Sequence, residues 1–141
     1  MLAGLLITQG CGKGSYKTKE KRIVRKMLVT GYDAGQKSTG WKRKWGLFFM
    51  PPVYAYGPNE GKRKEVGVTA DGTKAKKGVI AADINRYPYG TKMYVPGYGW
   101  GEVHDIGTAI KGDHIDLFFP SEKEAKKWGR KYLKVIILLR E

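Results

Sequence analysis

Short apolar runs, broken by glycine and proline, make up most of this chain, and several alternate with a period of two. Lys26-Met27-Leu28-Val29-Thr30-Gly31-Tyr32 is rich in β-forming residues and closes at Asp33-Ala34-Gly35, which predicts a first strand. Val66–Thr69 and Gly78–Asp83 predict two more, and Lys92–Val95 a fourth after the turn Pro88-Tyr89-Gly90-Thr91. Gly101–Ile106 alternates up to Gly107, His114–Phe119 runs to Pro120, and Lys134–Leu139 reads as a buried closing strand. Ser121-Glu122-Lys123-Glu124 has the form of a capping box, predicting one helix to about Trp128 with Gly129 as its stop. From Gln36 to Glu65 the pattern is irregular, with Trp41, Trp45, Leu47, Phe48 and Phe49 as anchors. So many short strands would expose their edges unless the sheet closes on itself, so the expected fold is an all-β small barrel with one short peripheral helix.

At 141 residues the chain fits a single domain. With 41% hydrophobic and 12% aromatic residues it is too apolar for a disordered chain, and 20 glycines suit a fold of many turns. Residues 1–22 read as a weak leader and a flexible basic arm, and residues 23–141 as the folded domain. The formal charge of +14 predicts attraction to polyanions without naming one: nucleic acid, anionic lipid and anionic wall polymers all qualify.

One cysteine, Cys11, excludes an internal disulfide and any multi-cysteine metal site. It follows Met1-Leu2-Ala3-Gly4-Leu5-Leu6-Ile7-Thr8-Gln9-Gly10, an imperfect version of a lipoprotein leader that lacks an opening basic residue and has a short apolar core. No segment reaches the roughly 20 apolar residues of a membrane-spanning helix.

Aspartates stand in or beside apolar runs, at Asp83, Asp105 and Asp116, in a chain with cations to spare. The ordered set Ala82-Asp83, Pro88-Tyr89-Gly90-Thr91, Val95-Pro96-Gly97-Tyr98-Gly99, Val103-His104-Asp105-Ile106-Gly107, Ala109-Ile110-Lys111-Gly112 and Ile115-Asp116-Leu117-Phe118 resembles the three-aspartate (3D) domain. That is a double-psi β-barrel family related to the catalytic barrel of MltA-type lytic transglycosylases and, more distantly, to RlpA and expansin barrels. Weaker agreement extends the resemblance over residues 27 to 139. Thr108 replaces the usual second glycine after Asp105-x-Gly, and residues 41–65 match nothing in the family. The resemblance implies a six-stranded double-psi barrel.

It also implies cleavage of peptidoglycan glycan strands between N-acetylmuramic acid and N-acetylglucosamine without water, leaving a 1,6-anhydromuramoyl end. Protonating a glycosidic oxygen at neutral pH requires a carboxyl group whose pKa is raised. Asp116, followed by Leu117-Phe118-Phe119, is the candidate general acid and base. Asp105 is expected either to hold Asp116 protonated or to stabilise the developing oxocarbenium ion, and Asp83 to complete the cluster. Lys111 is expected to bind a substrate carboxylate or to lower an aspartate's pKa. Gly107 and Gly112 suit turns that let a glycan approach, and Thr91, Tyr98 and Trp100 are the remaining expected glycan contacts. No cofactor and no metal is expected, because His104 and His114 lack a ligand spacing.

Two other classes compete with the enzyme. An expansin-like module that binds wall polysaccharide without cleaving it would need the barrel but not three acidic groups. A charge-driven nucleic-acid binder would show steep salt dependence, yet no recognised motif supports it. The partners expected are peptidoglycan strands, with anionic wall polymers beside them, at the cell envelope or outside the cell.

Overall fold

The computed structural model describes residues 19–35, 39–42, 52–55 and 58–140. The expected leader with Cys11, and the anchors Trp45 to Phe49, lie outside the described residues. Six strands close into a barrel in the order β1 (Glu20–Tyr32), β7 (His114–Phe118), β4 (Val79–Ala81), β6 (Gly99–Asp105), β5 (Lys92–Val95) and β8 (Lys131–Arg140). A separate two-stranded piece pairs β2 (Trp41–Lys42) with β3 (Val53–Tyr54). The helix α1 (Glu122–Trp128) packs against β1 from outside. The all-β six-stranded barrel with a short peripheral helix is therefore the fold of this chain. Among the described residues no helix is long and apolar enough to cross a membrane.

Alternation decides what faces inward. Met27 and Val29 from β1, Ile80 from β4, Met93 and Val95 from β5, Val103 from β6, Ile115 and Leu117 from β7, and Val135 and Ile137 from β8 fill the main core, all fully buried. Each such side chain contributes roughly 1.5–3 kcal/mol relative to exposure. Gly101 allows β6 to cross β4 closely, because a Cβ there would stand 2.7 Å from Ile80 Cδ1 and 2.8 Å from the Gly78 carbonyl oxygen.

Two of the six pairings are parallel, β1 with β7 and β4 with β6, and the others are antiparallel. Parallel partners need long crossovers, so the chain must carry other strands between them. The capping box forms at Ser121, whose hydroxyl oxygen accepts from the Glu124 amide. The Glu124 carboxylate reaches back to that hydroxyl at 2.9 Å.

Three expectations change. The first strand begins at Glu20, earlier than Lys26, because β8 itself runs from Lys131 to Arg140 and supplies partners along that whole length. This two-strand ribbon absorbs the end of the presumed arm. Val66–Thr69 is not a strand: it belongs to a turn-rich loop that contains only the isolated β-bridge Val68–Lys74, since Gly67 and Gly72 take positive φ. β6 starts at Gly99 and stops at Asp105 instead of running from Gly101 to Ile106.

Candidate active site

The centre of the site is Ala81. In the register of the sheet it stands opposite Asp116 of β7 on one side and Asp105 of β6 on the other. With neighbouring strands roughly 4.8 Å apart, the two aspartates are about 10 Å apart at Cα. Strict alternation would have sent Asp105 into the core with Val103. A bulge at His104 prevents this: Ile80 pairs with Val103, but the next residue, Ala81, pairs with Asp105. The extra residue turns Asp105 to the face that carries Asp116.

That face holds a small second apolar cluster of Tyr32, Val79, Ala81 and Phe118, with Tyr32 and Phe118 in edge contact at 5.5 Å. Thr30 and Tyr32 arrive from β1 because its parallel pairing with β7 places Thr30 opposite Asp116 and Tyr32 opposite Phe118. Neither residue was assigned a role from the sequence, although Thr30-Gly31-Tyr32 lay within the weaker family match. The cross-strand pairing gives them their place.

Asp105 is held by donors. The Tyr32 hydroxyl donates to Oδ2 at 2.7 Å, and the amides of Ala70 and Ile106 donate to Oδ1 at 3.0 and 2.9 Å. Burial, and then the charge of Asp105, push the Tyr32 phenol far above its usual range, so it stays a donor. Asp116 has a poorer shell. The Thr30 hydroxyl lies 2.9 Å from its Oδ1, while burial, with Asp105 adding its charge, pushes the carboxyl up to about 6 against the lowering effect of that bond.

Two basic groups adjoin the pair. His114, two residues before Asp116, brings Nε2 within 3.0 Å of the Thr30 hydroxyl oxygen, and burial lowers its pKa. Lys64 feels the Asp105 charge, which opposes the lowering of its pKa by burial. Burial, and then the charges of Asp105 and Asp71, raise the Tyr89 pKa.

The loop preceding β4 is fastened over this edge by a second acid. Asp71 Oδ2 lies 2.6 Å from His104 Nδ1, and Thr69 donates to Asp71 Oδ1 at 2.8 Å. Desolvation would raise the Asp71 pKa, but hydrogen bonds from His104, Thr73 and Thr69 outweigh it and hold the carboxyl well below the carboxylate range. Nothing in residue type or spacing marks Asp71 and His104 as partners, 33 residues apart in the chain. The bulge that aims Asp105 also aims His104 at this loop.

The remaining expected site residues have other partners. Asp83 turns its carboxylate to the amides of Gly112, at 3.0 Å, and Asn85, at 3.2 Å, and the Gly112 bond is the main reason its pKa is lowered. Lys111 is exposed and adds its charge to Asp83. Gly112 has φ of 62°, and Gly107 closes a turn in which a Cβ would stand 2.7 Å from Ile110 Cγ1. Both glycines serve the backbone here. Thr91 is buried and donates to the Pro88 carbonyl at 2.6 Å. Tyr98 donates to the Phe118 carbonyl, accepts from the Gly78 amide, and stacks with Phe119 and Trp128. Trp100 is exposed and packs on Tyr94 at 5.4 Å, five residues of extended strand, or roughly 17 Å, from Asp105. Asp105 and Asp116 share the face around Ala81, whereas the Asp83 carboxylate and the Tyr98 hydroxyl are bound to backbone groups and Trp100 lies roughly 17 Å along β6 from Asp105. Among the described residues no three metal-binding side chains converge.

Comparison with known proteins agrees with the region that holds the pair. YocH of Bacillus subtilis (strain 168), a cell wall-binding protein by name, is 46% identical over 88 residues, covering 60% of this chain and 30% of YocH. YabE of the same organism, named for cell wall shaping, is 46% identical over 76 residues, covering 51% of this chain and 19% of YabE. The chain thus spans less than a third of the length of either relative. Among solved structures, the crystal structure of MltA from E. coli aligns at 22% identity and a TM-score of 0.45, covering 56% of this chain and 29% of that one. The family model of the 3D domain matches residues 78–139, the segment that supplies β4 through β8 and with it both Asp105 and Asp116.

Proposed function

We propose that this protein acts on the bacterial cell wall and cleaves peptidoglycan glycan strands as a lytic transglycosylase, with Asp116 as general acid and then base. The observation that carries the reading is a carboxyl group raised to about 6 by burial, two strands from a second carboxyl on the same face. Such a group still holds its proton in about a tenth of the molecules at pH 7, far more than an ordinary carboxyl does, and can readily give it up. Asp116 protonates the glycosidic oxygen as the bond to C1 breaks. The C6 hydroxyl of the same muramic acid attacks C1, forming the 1,6-anhydro bond, and its proton returns to Asp116. Water takes no part, and proton and electron pairs balance.

Three donors fix the orientation of Asp105. It biases Asp116 toward the protonated form by like-charge coupling and faces the positive charge that develops at C1. Asp83, Lys111 and Gly112 form a backbone support, which fits a structural part in the site better than contact with sugar. The relatives named for the cell wall support the substrate class, and the charge of +14 suits an anionic wall. A location at the cell envelope or outside the cell follows from that substrate. The second reading is a wall-binding module without catalysis, favoured by the similarity to YocH, which is named as a cell wall-binding protein.

Mass spectrometry of purified peptidoglycan, incubated with the wild type and with Asp116→Asn, tests the proposal. Anhydromuramoyl ends from the wild type alone are expected. Reducing ends would mean hydrolysis and a second catalytic carboxylate. Absence of products, with the protein still sedimenting with the wall, would leave the binding module.

A further inference from the structure

Thr30 has one hydroxyl proton and several places to direct it. Its oxygen lies 2.9 Å from Asp116 Oδ1, 3.0 Å from His114 Nε2 and 3.4 Å from the Ile115 carbonyl oxygen. A hydroxyl donates once and accepts from others, so this junction has a direction. The His114 ring also bonds the Ala109 carbonyl, which only accepts, so a ring N–H is committed there. A neutral imidazole has one N–H, and the Nε2 turned toward Thr30 is left as an acceptor. Burial, with Arg130 as the facing cation, favours that neutral ring.

We propose that His114 acts through Thr30 to keep the proton on Asp116. Nε2 takes the Thr30 proton as a hydrogen-bond acceptor, and the Thr30 oxygen then accepts from the protonated Asp116 carboxyl. Were Asp116 ionised, the Thr30 hydroxyl would have to turn to the carboxylate, leaving two lone pairs facing each other at Nε2 and Oγ1. Relief would require His114 to bind a proton, so that one proton is shared by the pair: Asp116 protonated with neutral His114, or carboxylate with imidazolium. Asp105 faces Asp116 from β6 and disfavours its ionisation, while Arg130, just before β8, faces His114 and disfavours the imidazolium. The Tyr32 hydroxyl on β1 donates to Asp105, and its phenol also feels the charge of Asp116. His114 and Thr30 are positioning residues in this scheme. The scheme's catalytic consequence rests on Asp116 being the general acid, whereas the coupling itself does not.

Carbon-detected titration of the Asp116 carboxyl, in the full chain, tests the coupling without reference to catalysis. His114→Phe frees the Thr30 proton for the carboxylate and is expected to lower the Asp116 midpoint by about one pH unit, the effect of one charge-assisted hydrogen bond. In a Thr30→Val background the same His114→Phe change is expected to shift nothing. An unchanged or raised midpoint in His114→Phe, or equal shifts with and without Thr30, overturns the proposal. Should Thr30→Val not fold, long-range proton–nitrogen spectra of the wild-type ring decide: a proton on Nδ1 and none on Nε2 at pH 7 is expected, and the reverse overturns it. Wall lysis by the same variants separates the two claims. Lysis whose alkaline limit does not follow the Asp116 midpoint sinks the catalytic consequence, and no lysis by the wild type sinks the proposed activity while the titration still judges the coupling.

Discussion

Asp83 and Asp116 stand in similar surroundings along the chain and in opposite ones in space. Each adjoins a short apolar run, Val79-Ile80-Ala81-Ala82 before Asp83 and Leu117-Phe118 after Asp116. Asp83 sits just past β4, where two amides point at its carboxylate and two cations, Lys111 and Arg86, lie near, and its pKa falls. Asp116 sits within β7, where its strand amide serves the sheet, one hydroxyl is left to meet the carboxylate, and Asp105 adds a like charge; its pKa rises to about 6. Chain neighbours do not set the proton affinity of a carboxyl; the count of donors and the depth of burial do. The Asp83 carboxylate accepts from two backbone amides of a turn, whereas the Asp116 carboxyl has one hydroxyl partner.

Substitution by asparagine is the strongest way to press this difference. Asp116→Asn is expected to reduce wall lysis by about 10²–10⁴-fold, the usual share of a general acid, with wall binding retained. Release of soluble muropeptides against time would show it. Stability should move the other way. The folded pKa of Asp116, about 6, lies above the ordinary 3.8, so ionising it costs the folded state. By linkage the cost is absent below the unfolded value, grows between about pH 4 and pH 6, and reaches at most about 3 kcal/mol above that. Urea unfolding of wild type and Asp116→Asn across that window should show the variant gaining stability as the pH rises. A constant difference would mean that Asp116 titrates as an ordinary carboxyl.

Asp105→Asn has a smaller and more specific effect. It removes the like charge, so the Asp116 midpoint is expected to fall and lysis to lose its alkaline side, by about tenfold at pH 8. The loop carrying Ala70 should at the same time exchange amide hydrogens faster, since an asparagine in this place can accept at one oxygen only. Asp83→Ala tests the contrasting region. Its depressed pKa means that it supports the fold above about pH 4 and ceases to do so as the pH falls through its folded value. Faster exchange at Gly112 is expected, with lysis at neutral pH within about threefold of wild type if it acts only through the turn. Loss of lysis as deep as that of Asp116→Asn, in a folded variant, would place Asp83 in the chemistry. The smallest effect belongs to Trp100→Ala: roughly 17 Å from Asp105, it should leave the Asp116 midpoint unmoved.

Much of this molecule was legible from local pattern. Lys92–Val95, the strand starting at His114 and the helix behind Ser121 coincide with β5, β7 and α1, because alternation and capping are properties of a few adjacent residues. Asp105 and Asp116 stood out in the sequence together with Asp83, since an ordered series of motifs surrounds all three, but which of them share a face did not. Thr30 was not readable as a partner of Asp116, being 86 residues away along the chain. Tyr98 and Thr91 read as sugar contacts because an aromatic or hydroxyl residue in a turn looks the same whether it faces solvent or ties down a neighbouring strand. The Tyr98 hydroxyl does the latter, bridging Gly78 and Phe118.

By itself the sequence determined that the chain makes short strands that must close, that it is strongly cationic, and that its aspartates fall beside apolar runs. These follow from residue type and spacing over a turn or two. Only the tertiary structure decided which of those aspartates meet. The parallel pairing of β1 with β7 delivers Thr30 and Tyr32, and the bulge at His104 reverses the side on which Asp105 emerges. A one-residue shift of register exchanges the two faces of a strand, and that shift is set by partners distant in the chain, so no periodicity along β6 alone could have fixed it.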